Sequence, residues 1–229
     1  MKRLLFTFFT LSFFANIVYA QQEDFSSWYN LSVNGELFKK LDFSIEPELR
    51  IFENSSQLES WQIQFNLSTK VKKWLDVGLA YRYQVEYDDP RKNERIHRIA
   101  GFSKFGYKTG KLRWSYRAQI QSEQANINSS EDGYVKHIEH RHKIGVKYRN
   151  KKWFCEPSAG IEYFFCLAPT KDKNRWKNRL FVTIEKDISK RISGTISYKR
   201  QEEFNVANPD ITNIIQVGIE YKPKWLKIK

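Results

Sequence analysis

Residues 75–87 read LDVGLAYRYQVEY. Leu75, Val77, Leu79, Tyr81, Tyr83, Val85 and Tyr87 alternate with Asp76, Gly78, Ala80, Arg82, Gln84 and Glu86. One parity is wholly apolar or aromatic, and the other holds no bulky apolar residue. A helix would scatter the apolar set around its circumference, whereas a strand points successive side chains to opposite faces. The segment is therefore a strand with one greasy and one polar face.

The same alternation extends in both directions. Residues 41–51 set Leu41, Phe43, Ile45, Leu49 and Ile51 against Asp42, Ser44, Glu46, Glu48 and Arg50. Residues 61–71 and 112–121 repeat it, and weaker versions cover 25–37, 95–108, 136–148, 153–167, 176–186, 191–203 and 212–222. No stretch after residue 24 carries a helical period. Short basic turns (Lys39-Lys40, Lys72-Lys73, Thr109-Gly110, 150–152, 187–190) are expected to alternate with longer polar segments at 53–57, 88–94, 123–135, 168–174 and 205–210.

Composition limits what such strands build. The 229 residues include 7 Trp, 12 Tyr and 17 Phe, yet 28% are charged and mean hydropathy is −0.64. That aromatic content argues against disorder. The charge excludes a bundle of membrane helices, each needing ~20 apolar residues. Cys155 and Cys166 lie in one extended run, which separates them by roughly 36 Å, far beyond a disulfide's reach. Both are expected to be free thiols.

Residues 1–20 have the form of a secretory signal: Lys2 and Arg3, an apolar run from Leu4 to Phe14, then Val18-Tyr19-Ala20 before Gln21. Domain organisation is then a signal peptide over 1–20 and one domain over 21–229. Loss of Lys2 and Arg3 lowers the formal net charge from +13 to +11. In an exported chain this basic excess suits anionic headgroups of outer-membrane lipid and lipopolysaccharide, and no nucleic acid partner is expected.

Strand length decides between β architectures. Sandwich strands usually run about 5–6 residues, whereas a tilted strand spanning a bilayer needs ~9–11. The expected fold is an all-β, antiparallel up-and-down transmembrane β-barrel of about 10–12 strands, in the outer membrane. Eleven patterns are counted, although bacterial barrels have even numbers, so a further strand is sought in 20–27 or 222–229. The polar parity should line the lumen, as a network of Glu46, Glu48, Arg50, Arg82, Arg113, Arg117, Glu139, Arg141, Lys143, Arg179 and Lys199. Trp28, Trp61, Trp74, Trp153, Trp176 and Trp225 lie near strand ends and are expected in aromatic girdles at the two membrane interfaces.

The stretches LRIFENSSQLESWQ (49–62), VGLAYRYQ and NERIHR (77–98), LRWSYRAQIQSE (112–123) and SYKRQEEFNVANPD (197–210) resemble an uncharacterised outer-membrane barrel family, domain of unknown function 2490, over about residues 24–222. The resemblance implies a barrel and assigns no catalytic or binding residue.

Chemistry is sparse. His137, His140 and His142 form one cluster, with His140 and His142 sharing a face. Two imidazoles fall short of a zinc site unless Glu131 or Asp132 contributes, so solvated rim histidines are the simpler reading. His97 and His140 are candidates for an enzyme acting on lipid or lipopolysaccharide, but no Gly-x-Ser-x-Gly elbow occurs. Glu46 with Glu48, and Glu202 with Glu203, read as parts of an ion network. No cofactor is expected, and the chain is expected not to be an enzyme. The leading function is a narrow or occluded pore or structural envelope component. The alternatives are the envelope enzyme and a secreted soluble barrel holding a hydrophobic ligand. Mass spectrometry of the exported protein should find Gln21 as its first residue; an intact Met1 would overturn the signal reading.

Overall fold

Alternation at this length yields strands that cannot bury their apolar face within a single sheet, and the chain answers by curling that sheet closed with the apolar face outermost. The computed structural model describes residues 23–37, 40–89, 92–125, 135–150, 152–167, 176–206, 209–223 and 227–228. The signal segment and Trp225 lie outside the described residues.

Eleven long strands follow in order: β1 Glu23–Leu37, β2 Leu41–Phe52, β3 Gln57–Lys72, β4 Leu75–Asp89, β5 Lys92–Thr109, β6 Leu112–Ala125, β7 Val135–Tyr148, β8 Glu156–Cys166, β9 Trp176–Asp187, β10 Ile192–Phe204 and β11 Ile211–Tyr221. Each pairs antiparallel with the next. The sheet closes where β1 meets β11, from Glu23 opposite Ile211 to Val33 opposite Tyr221. That seam is parallel, because both strands run from the end carrying the 53–56 turn toward the end carrying the Lys40 turn.

Of the two places where a further strand is sought, 222–229 holds one, but it is too short to span the barrel, which closes with eleven long strands. Residues 23–27 are the start of β1. The C-terminal stretch contributes only Lys227–Ile228 (β12), parallel to Glu36 and Leu37. An odd count is permitted because slanted parallel hydrogen bonds close the ladder as fully as perpendicular ones. Closure leaves no long strand with an unpaired edge.

The expected loop alternation is only partly observed. The 53–56 connection is a tight turn with Glu53, Asn54 and Ser55 all at positive φ (50°, 55° and 60°). The Asp24 carboxylate accepts hydrogen bonds from the Glu53 and Asn54 amides. The polar run at 88–94 lies largely in strand, since β4 reaches Asp89 and β5 begins at Lys92. Polarity there reflects the rim of the barrel and was no sign of a loop. Pro47 interrupts the β1–β2 ladder, and the Asn30 amide donates to its carbonyl at 3.3 Å.

The polarity is inverted relative to a soluble domain, whose large apolar side chains turn inward. Leu79, Ile99 and Ile196 point out of the barrel and are 63%, 62% and 61% exposed. Gln62, Gln84, Gln121, Glu139 and Glu162 point inward and are buried. Three outward polar pairs form across neighbouring strands: Tyr81 with His97, Tyr116 with His142, and Tyr198 with Asn213, at 2.7–2.8 Å.

Two lumen-facing glycines make room for rings. A Cβ on Gly78 would stand 2.5 Å from the Phe102 ring, and one on Gly160 would stand 2.2 Å from the Ile144 carbonyl and 2.5 Å from the Phe181 ring. Gly160→Ala should therefore destabilise the barrel by about 1–3 kcal/mol through overpacking. Gly106→Ala, where nothing lies within 4 Å, should be tolerated. Unfolding followed by heat-modifiable gel migration distinguishes them, and equal midpoints would refute the packing argument.

Candidate functional site: the charged lumen

Strand parity delivers the charged side chains to one interior chamber of about 690 Å³. Of the eleven residues expected in the lumen network, Glu46, Glu48, Arg50, Arg82, Arg117, Glu139, Arg141, Lys143, Arg179 and Lys199 line this chamber. Arg113 lies apart from it, beside Arg149 and Glu185 at the turn end.

Register brings the charges into contact. Arg117, Lys143, Glu162 and Arg179 are consecutive cross-strand partners on β6, β7, β8 and β9. Glu162 accepts from Arg141 at 2.7 Å and stands 3.7 Å from Arg179. Glu48 is paired with Arg50 at 2.8 Å and also accepts from the Gln62 and Gln216 amides, the latter at 2.9 Å. Arg98 pairs with Glu123, and His137 Nε2 lies 3.5 Å from Glu139. Arg82 directs both Nε and Nη2 at the Gln64 oxygen, at 2.9 and 2.6 Å. Glu46 accepts from Ser44 and Asn66.

Aromatic rings share the lumen with these charges. Arg50, Lys199 and Arg179 lie 4.0, 4.7 and 5.0 Å from the centre of the Trp28 ring. Arg117 covers Phe102 at 4.2 Å, Lys143 covers Phe181 at 4.5 Å, and Arg141 and Arg179 cover Phe164 at 4.5 and 4.9 Å. Such cation–π contacts hold guanidinium groups and ammonium groups against the wall.

Trp28 corrects an expectation. Placed in a girdle by its nearness to a strand end, it instead faces inward and is 5% exposed. Its parity carried the signal: it alternates in phase with Asn30, Ser32, Asn34 and Glu36, the polar face of β1. Phe102, Phe164 and Phe181 likewise share parity with charged neighbours. The other girdle tryptophans described point outward or lie in turns. Trp61 meets Tyr83 edge-on, and Trp176 meets Phe165 and Phe204, toward the loop end. Trp74 stacks on Phe105, and Trp153 packs on Tyr148, at the turn end. Trp114, which strand-end counting passed over, joins the turn-end band.

His137 lies in the loop-end part of β7, but the other two histidines of the cluster are not at the rim. His140 and His142 face outward from the middle of β7, whereas His137 faces the lumen. His140 Nδ1 lies 2.8 Å from His142 Nε2, and His142 Nδ1 lies 2.8 Å from the Tyr116 hydroxyl. This chain closes if Tyr116 donates to His142 and His142 donates to His140. Residues 131 and 132 lie outside the described residues, and among the described residues no three His, Cys, Asp or Glu side chains gather as a metal site. His97 is hydrogen-bonded to Tyr81, and neither it nor His140 is hydrogen-bonded to a serine among the described residues. Cys155 and Cys166 are not joined in a disulfide, and Cys166 Sγ lies 3.5 Å from His137 Nδ1.

The inward position of Trp28 is testable. A variant retaining only that tryptophan should escape fluorescence quenching by brominated lipid, whereas one retaining only Trp114 should be strongly quenched. Quenching of both would place Trp28 on the lipid side.

A solved structure of the NanC porin, in a rhombohedral crystal form, is similar over 87% of this chain and 99% of that chain, with a TM-score of 0.54 and 12% identity. This likeness is one of fold: a porin-type barrel. No curated protein matches the sequence. The profile of one family, described as a protein of unknown function (DUF2490), matches residues 25–212. With most of its barrel inside that match, from β1 to the start of β11, the chain belongs to the DUF2490 family.

Proposed function

We propose that the chain is an outer-membrane barrel providing a narrow, side-chain-lined passage for small polar solutes. The observation that carries this reading is the chamber of about 690 Å³, walled by charges and amides and narrowed by rings with guanidinium groups stacked on them. An exterior of exposed Leu, Ile, Val and aromatic residues suits the acyl chains of outer-membrane lipid and lipopolysaccharide. The leader-like segment at 1–20 supports export, and the porin-type fold supports the location. Eleven strands enclose far less space than the 16–18 of a general porin. A structural envelope role is the reading left if the lumen does not conduct.

Planar-bilayer recording tests the passage. The refolded protein should show discrete openings, smaller than those of a general porin. Phe164→Ala should enlarge them, because it removes the ring on which Arg141 and Arg179 are stacked. No conductance above background from either protein would overturn the pore.

A further inference from the structure

The ion network of the lumen is incomplete, and the shortfall is localised. Nine Arg and Lys and eight Glu line the chamber, so the charges nearly balance in total. Glu59, Glu86, Glu123, Glu139 and Glu203, however, lie in the loop-end parts of β3, β4, β6, β7 and β10. The middle of the barrel is therefore short of carboxylates. Arg117 stands directly opposite Lys143, an arrangement in which like charges repel. The carboxylate next along this rung is Glu162, already engaged by Arg141 and Arg179.

Among the described residues, Arg82, Arg117, Lys143 and Lys199 form no ion pair. Three of them rest instead on rings: Arg117 on Phe102, Lys143 on Phe181 and Lys199 on Trp28. A ring face attracts a cation by ~0.5–2 kcal/mol but leaves its charge uncancelled. The buried Nε of Arg117 has no acceptor at all. Buried guanidinium donors normally have a hydrogen-bonding partner, and the Nε atoms of Arg98 and Arg141 in the same chamber lack one as well. Cations from four strands, two of them opposite each other, thus face a chamber within the ~300–1,000 Å³ range of ligand sites.

We propose that the mid-lumen cluster of Arg82, Arg117, Lys143 and Lys199 is a binding site for a small oxyanionic solute, carrying carboxylate or phosphate groups. This deepens the passage reading, on which it rests, by naming the class of solute. The anion supplies the acceptors that the Arg117 Nε and the Lys143 and Lys199 ammonium groups lack. It also relieves the repulsion between Arg117 and Lys143. A neutral solute of equal size does neither.

Calorimetric titration of the refolded barrel in micelles at low salt, with citrate, inorganic phosphate and glucose as separate probes, tests the site. At least one of the two anions should bind saturably, one per barrel, and glucose should not. Lys143→Gln and Lys199→Gln, each checked for folding by heat-modifiable migration, should each weaken anion binding about tenfold or more. Lys147→Gln removes the same charge from a lysine already paired with Glu156 and Glu185, and should change affinity by less than about twofold. Absence of saturable binding by both anions, or an equal loss in Lys147→Gln, overturns the site. Conductance without saturable anion binding removes this inference alone. Saturable binding in a barrel that does not conduct keeps the site and removes the passage.

Discussion

Closure of the sheet through β1 and β11 is the constraint on which the remaining structure depends. A strand whose outer face is apolar cannot present free amide and carbonyl groups to hydrocarbon, where each unsatisfied group costs several kcal/mol. Antiparallel hairpins satisfy all but the first and last strands. The parallel seam from Glu23–Ile211 to Val33–Tyr221 satisfies those. Once the ladder is continuous, parity determines everything else: one set of side chains meets the surroundings, and the other is confined to the lumen.

Confinement changes what the charged residues do. On an open sheet Arg117, Lys143, Glu162 and Arg179 would be a solvated row. Inside the barrel they face Glu48, Arg50 and Trp28 from the other wall. The resulting pattern has ion pairs where carboxylates are available and cation–ring stacks where they are not. Gly78 and Gly160 enable the stacks, since their missing side chains leave the space that the Phe102 and Phe181 rings occupy. The outer wall follows the same rule. His97, His142 and Asn213 are each held there by a tyrosine hydroxyl from the neighbouring strand.

Much of this was legible in the residues. The alternation in 75–87 identifies β4 and assigns both of its faces, and ten of the eleven expected lumen residues do line the chamber. Trp28 was misread because nearness to a strand end was weighed above parity, although its phase with Asn30, Ser32 and Asn34 pointed inward. His140 and His142 read as solvated rim histidines because two imidazoles fall short of a zinc site, yet they face outward at mid-strand, where an unpaired polar ring is costly. Their mutual hydrogen bond and the Tyr116 hydroxyl, contributed by the neighbouring strand, offset that cost. The segments at 53–57 and 88–94 were polar without being long loops, and composition alone does not separate a polar rim from a connection.

By itself, then, the sequence determined the strands, their two faces and the inverted polarity, because these follow from a period of two that each segment carries locally. Tertiary structure alone decided the strand count at closure, the parallel seam and the cation-rich middle of the lumen. Those depend on register, which brings residues from distant strands, such as Glu48 and Gln216, within hydrogen-bonding distance. Local alternation specifies which way a side chain points, but only a closed and registered ladder specifies what it meets.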